Sequence, residues 1–173
     1  MRKIIFLTGL FLATISYGQK SNLNEVREEL FYSDFDIDKS VSFHKMLVDL
    51  KDNDPTIQAY TGAAKALIAK HSWNPITKIS SLKEGLNQIE QALTLDNMNL
   101  EIRFLRLYIQ NSLPDYLGMK DDIDEDRSLI VGNINWLNTS GLNKDIIDYI
   151  INYMSTQVNC STDQIKVLQS RVF

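Results

Sequence analysis

Residues 55–69 of this chain read PTIQAYTGAAKALIA, and residues 82–97 read LKEGLNQIEQALTLDN. In both stretches apolar residues recur every three or four positions, the spacing that places them on one face of an α-helix. Asp54 and Pro55 are a favoured N-cap and first helical residue. The many small residues between Gly62 and Ala69 permit a neighbouring helix to approach closely. We therefore predict two helices that pack together as a hairpin.

The same helical periodicity continues along nearly the whole chain after residue 22. The three prolines each stand where a helix could begin, and long β-branched alternations are absent. The pattern predicts an all-α fold of about seven to eight helices, with a central, largely apolar helix over 100–112. It also predicts a fourth helix starting near Ile76 or Ser81, a sixth over 122–136, and a last helix opened by a capping box at Ser161.

Residues 82–97 resemble the second helix and turn of a tetratricopeptide repeat. Gly85, Ile89 and Ala92 stand at its small, large apolar and alanine positions, although Asn97 replaces the usual proline. Residues 59–64 resemble the first helix of such a unit. The stretch 55–97 is longer than the ~34 residues of that repeat, and we assign the excess to a loop at 71–79. The resemblance implies antiparallel helical hairpins with a repeat-like core at about 55–112, either in a TPR-like array or in a compact helical bundle.

Four further motifs are similar to those of a family of uncharacterised exported proteins from Bacteroidota. They read YTGAA at 60–64, NPITK at 74–78, EIRFLR at 101–106 and LPDYLG at 113–118. This resemblance covers about residues 55–130. It implies export and a helical fold, and it implies no particular chemistry.

The first nineteen residues have the pattern of a cleaved signal peptide. Arg2 and Lys3 precede an apolar run at 4–15, and Ser16 and Gly18 offer small residues around a cleavage site. The run is shorter than the ~20 residues that cross a bilayer, so a retained membrane anchor is the weaker alternative. We expect an exported protein, periplasmic or secreted, whose residues 20–173 form a single helical domain without a stable membrane anchor.

Charge and cysteine content narrow the class of protein further. The formal net charge is −4, which disfavours nucleic acid as a partner because phosphate contacts need clustered lysine and arginine. Cys160 is the single cysteine, so no internal disulfide can form. We expect Cys160 to be a small buried or half-buried residue, with an intermolecular bridge as the alternative.

The patterns that carry most enzyme chemistry are missing from the sequence. The glycines are scattered, so neither a phosphate-binding loop nor a hydrolase elbow is present. His44 and His71 lack a paired metal-ligand spacing. The acidic runs at 34–38 and 122–126 lack the later glycine and glutamate of a calcium loop, so we interpret them as helix caps and solvated charge. We expect no catalytic residue, metal or cofactor.

The most suggestive polar group is Arg103, Arg106 and Gln110 on the predicted central helix. In helical-repeat proteins such residues can line a groove that holds an acidic peptide. The interpretation we favour is an internal ion pair with Glu90, Glu101 or the run at 121–126, because a largely apolar helix must satisfy its arginines. Three aromatic residues are candidates for the same groove, although aromatics are more often core or rim residues: Tyr60, Trp73 and Tyr108.

These features support one functional hypothesis and two alternatives. The hypothesis is a non-enzymatic exported scaffold that binds an unidentified protein or peptide. The first alternative is a helical small-ligand binder or enzyme with a pocket lined by Arg103 and Arg106, and the second is a purely structural envelope component.

Overall fold

The computed structural model describes residues 22–32 and 36–170, and this part of the chain contains helices and no strands. The all-α prediction of seven to eight helices is therefore confirmed. The predicted signal peptide lies outside the described residues. Two short 3-10 turns occur at Asp115–Leu117 and Ile134–Asn138. The α-helices are α1 Leu23–Tyr32, α2 Ile37–Leu50, α3 Pro55–His71, α4 Pro75–Leu95, α5 Leu100–Asn111, α6 Ile123–Gly132, α7 Lys144–Thr156 and α8 Thr162–Gln169.

Helices α3 and α4 form a hairpin with a tight backbone crossing. A Cβ atom added at Gly62 would lie 2.6 Å from the carbonyl oxygen of Gly85, and one added at Gly85 would lie 2.5 Å from that of Gly62. No real Cβ atom is found so close to a carbonyl oxygen, so only glycine allows the two backbones to meet here. The predicted close approach of two helices is confirmed.

One predicted loop and one predicted helix end are wrong. Of the two starts predicted for α4, the one near Ile76 is confirmed: α4 begins at Pro75, because Asn74 caps it by accepting hydrogen bonds from the backbone N–H of Ile76 and Thr77. Residues 75–79 are therefore helical, and Ser81 is buried inside the helix. The excess length over a tetratricopeptide unit is extra helix and not a loop. The predicted sixth helix ends early, at Gly132, and continues as a 3-10 turn.

Helix caps fix the other boundaries largely as predicted. Asp54 accepts a hydrogen bond from the Thr56 N–H (2.7 Å) at the start of α3. Ser161 opens α8 with a complete capping box. Asp36, from the first acidic run, caps α2 by accepting from the Lys39 N–H.

Helix α5 joins two hydrophobic clusters, as its apolar circumference predicts. Ile102 and Leu105 belong to the cluster formed with α1 to α4, whereas Phe104 and Leu107 belong to the cluster formed with α6 to α8. Cys160 is a free, half-buried residue packed against the second cluster, which confirms its interpretation as a small packing residue. None of the described helices is long and apolar enough to cross a membrane.

Candidate functional site

The polar stripe of α5 is occupied by a buried carboxylate from α6. Asp126 has no exposed surface, and it accepts hydrogen bonds from Arg103 Nη1 (2.9 Å) and from Arg106 Nε (2.8 Å) and Nη2 (2.8 Å). The favoured interpretation of both arginines as internal ion-pair residues is confirmed. The interpretation of the run at 122–126 as caps and solvated charge is wrong for Asp126, because α6 packs its acidic side against the arginines of α5.

Further carboxylates surround the same two arginines at the surface. Glu125 pairs with Arg103 (3.1 Å), while Glu90 (2.5 Å) and Asp122 (3.3 Å) pair with Arg106. Burial opposes the charge of Arg106, but the hydrogen bonds and negative charge of Asp126 outweigh it, and the net effect raises the pKa of this guanidinium above its ordinary value. The surface here is a shallow depression of about 280 Å³ in which the arginines already hold protein carboxylates.

Gln110, the third residue of the stripe, also serves this interface. Its side-chain amide donates a hydrogen bond to Asp122 Oδ2 (2.8 Å), and the residue is only 5% exposed. The three polar residues that the sequence singled out on α5 thus fasten α6 to α5. Arg103, Arg106 and Gln110 do lie close together, but the groups that they bind are carboxylates of the same chain.

Tyr60 is a core residue and not a groove residue. Its hydroxyl donates a hydrogen bond to Glu101 Oε1 (2.9 Å), and Glu101 also accepts from Arg27 Nε and Nη2 (both 2.7 Å). All three side chains are buried, and they connect α1, α3 and α5. Burial, followed by the negative charge of Glu101, raises the pKa of Tyr60 well above its ordinary value.

The buried tyrosine predicts a loss of stability at alkaline pH. Because the folded pKa of Tyr60 is raised, its neutral form stabilises the fold fully below the unfolded pKa of about 10, and this contribution is lost as pH rises beyond it. We expect the free energy of unfolding to fall more steeply above about pH 10 in the wild type than in Tyr60→Phe. Chemical denaturation at a series of alkaline pH values measures the difference. Titration of Tyr60 near pH 10 in the native protein would contradict the assignment.

Tyr108 is shared between an aromatic cluster and an open groove. Its ring lies 4.8 Å from that of Tyr153 and 6.1 Å from that of Phe104, measured between centroids. The hydroxyl of Tyr149 donates to its hydroxyl at 3.3 Å. One side of Tyr108 also lines a cavity at the end of the helical hairpin. Of the six candidate groove residues identified from the sequence, Tyr108 alone lines this cavity.

That cavity, which we call the end groove, has a volume of about 350 Å³ and lies where α3 ends, α4 begins and α5 ends. The short side chains of Ala66 and Ala69 leave space between α3 and the turn that follows α5. Pro114 begins that turn, and Gly118 closes it with a left-handed φ of 59°. The groove is lined by Ala66, Leu67, Ala69, Lys70, Lys78, Ile79, Leu82, Tyr108, Ile109, Ser112, Leu113, Pro114, Tyr116 and Leu117.

The charged residues of the end groove are two lysines. Lys70 and Lys78 line it from α3 and α4, and no aspartate or glutamate of the described chain is among the lining residues. Neither ammonium group has a hydrogen-bond or ion-pair partner among the described residues. The groove therefore has apolar walls and unneutralised positive charge, although the chain as a whole is acidic.

Large apolar side chains extend the surface beyond the groove. Trp73 is 100% exposed, Tyr116 85% and Ile76 79%. Trp73 lies in the loop that joins α3 to α4, and Ile79 lines both the groove and a neighbouring depression formed by Pro75 and Ile76. Exposed apolar surface beside a groove is typical of a site where another molecule binds.

The residues of this surface were only partly visible in the sequence. Trp73 and Tyr108 were considered as groove aromatics, but Lys70, Lys78 and Tyr116 were not. The residues of this surface are far apart in the sequence, so the site can be recognised only when the hairpin and the 113–118 turn bring them together. Within the described residues no three histidine, cysteine or acidic side chains group as a metal site would require.

Comparison with family models, with curated proteins and with solved structures finds no match for this chain. The geometry of its own residues is therefore the basis for any functional argument.

Proposed function

We propose that this chain is a non-enzymatic interaction protein that holds a segment of a protein partner in the end groove. We place its action outside the cytoplasm, in the periplasm or secreted, after loss of residues 1–19. The fold would then serve as a TPR-like scaffold that presents the tip of the α3–α4 hairpin to the partner.

The observation that carries this proposal is the full exposure of Trp73 next to an apolar groove. An exposed indole gains little from folding, whereas tryptophan and tyrosine dominate the binding energy of many protein interfaces when they become buried there. Ile76 and Tyr116 give the surface two more large apolar side chains. A partner segment that covers all three would bury apolar area on both sides of the groove.

The rigidity of the hairpin supports the same function. The glycine crossing fixes α4 against α3, and the loop between them is only Ser72 to Asn74. Lys70, Trp73 and Lys78 are thus held on regular helices or at their immediate ends. A preorganised surface of this kind loses less conformational entropy when a partner binds.

The arginine-rich depression of α5 lends less support to a ligand site. Arg103 and Arg106 are engaged by Asp126, Glu90 and Glu125, so a ligand would have to displace carboxylates of the same chain. The observations that favour binding lie instead at the end groove.

Selection from a library of random linear peptides tests the proposal. We expect the immobilised protein to enrich peptides that contain large apolar residues, and we expect Trp73→Ala and Ile76→Ser each to weaken the selected peptide at least about tenfold, as for an interface hot spot. Leu95→Ser is the matched control, because Leu95 is an exposed apolar residue (64%) at the opposite end of α4. Equal losses in all three variants, or no enrichment, would contradict the proposal.

A further inference from the structure

We infer that the partner segment of the end groove is acidic, with aspartate or glutamate flanking its large apolar residues. This inference rests on the proposed function, and it specifies the charge of the partner segment. The evidence is an apolar cavity lined by two lysines that have no partner among the residues that the structure describes.

The charged lining residues of the end groove are all positive, whereas the depression beside α5 is lined by arginines and carboxylates together. Arg27, Arg103, Arg106 and Lys65 each form an ion pair with a carboxylate of the chain. Among the described residues Lys70 and Lys78 form no ion pair, as is also true of the exposed Lys83, but Lys70 and Lys78 differ from Lys83 because they lie on two adjacent helices around the same cavity. Asp115, the nearest carboxylate in sequence to Tyr116, is instead paired with Lys120 (2.7 Å).

These two exposed lysines are free to pair with acidic side chains of a partner. An acidic side chain at the rim would pair with Lys70 or Lys78 while a neighbouring apolar side chain fills the space above Ala66 and Ala69. A basic segment would meet like charge at the same rim and would bind more weakly. Such rim pairs act strongly on association rate and weaken with salt, because the lysines remain accessible to solvent.

The volume of the groove limits how much of the partner it receives. About 350 Å³ is at the lower end of the range for small-molecule pockets, so the groove has room for one or two large side chains. The exposed indole of Trp73 and the ring of Tyr116 then contact the flanking residues of the segment. An acidic peptide with a short apolar core has this composition.

The charge of the enriched peptides tests the inference directly. We expect peptides selected on the wild type to be more acidic than the starting library. The Lys70→Glu/Lys78→Glu double variant should bind the best of them at least about tenfold more weakly at low ionic strength. Replacing the acidic residues of that peptide by lysine should restore binding to the double variant. Lys83→Glu, an exposed lysine of α4 outside the groove, should change affinity less than about twofold.

The outcomes separate this inference from the proposed function. Enriched peptides that are apolar but neutral, with affinity unchanged in the double variant, would overturn the acidic-partner inference and leave the binding function standing. A failure to enrich any peptide would overturn both. Circular dichroism of each variant would establish that the helical fold is retained, and the exposed positions of the lysines make that retention the expected result.

Discussion

Asp126→Ala should lower the free energy of unfolding by about 3–5 kcal/mol, the largest effect that we expect from a single side chain. Asp126 is completely buried and accepts three hydrogen bonds from Arg103 and Arg106. Its removal leaves two buried guanidinium groups with only the surface carboxylates to neutralise them. The free energy of unfolding falls because buried positive charge is left uncompensated as well as because hydrogen bonds are lost.

Urea denaturation followed by circular dichroism measures this effect. Asp121→Ala is the matched control, because Asp121 belongs to the same acidic run but is exposed, and surface substitutions usually change stability by less than about 0.5 kcal/mol. Similar stabilities for the two variants would show that the α5–α6 ion pairs do not hold these helices together.

Gly85→Ala should be the second most destabilising of these changes, costing about 1–3 kcal/mol. The new methyl group would lie 2.5 Å from the carbonyl oxygen of Gly62 and 2.9 Å from the backbone nitrogen of Ala66. Backbone atoms cannot rotate away as a side chain can, so α3 and α4 must separate. This cost outweighs the gain of about 1 kcal/mol that alanine has over glycine inside a helix.

Gly132→Ala provides the control, because a Cβ atom at that position meets no other atom within 4 Å. We expect that variant to unfold at the same denaturant concentration as the wild type or at a higher one. The double variant Gly62→Ala/Gly85→Ala should lose less than the sum of the two single changes, since helices that have already separated accommodate the second methyl group. Strict additivity, or a stabilised Gly85→Ala, would contradict the close crossing.

The helical part of the fold was accessible from the sequence because it depends on local patterns. The N-cap and proline at Asp54 and Pro55, the capping box at Ser161 and the apolar periodicity of α5 each predict what the structure shows. The sequence left two possible starts for α4, near Ile76 and at Ser81, because it contains two competing N-terminal signals. Asn74 with Pro75 prevails, and Ser81 is buried against α3 instead of capping.

The candidate site was less accessible because it depends on which distant residues meet. Arg103 and Arg106 stood out as charges on an apolar helix, and the sequence correctly favoured internal ion pairs, but it could not show that Asp126 is the buried member. Lys70, Lys78 and Tyr116 have no unusual local context. They form a site only when the end of α3, the start of α4 and the 113–118 turn converge.

The emission of Trp73 tests the central claim most directly, namely that a partner segment covers the end groove. The chain has two tryptophans, so Trp136→Phe leaves Trp73, whose indole is fully exposed, as the single reporter. On titration with a selected acidic peptide, our account predicts a saturable blue shift of its emission, with the same affinity as the binding measured by peptide anisotropy. Emission that remains that of a solvated indole at saturating peptide would contradict it.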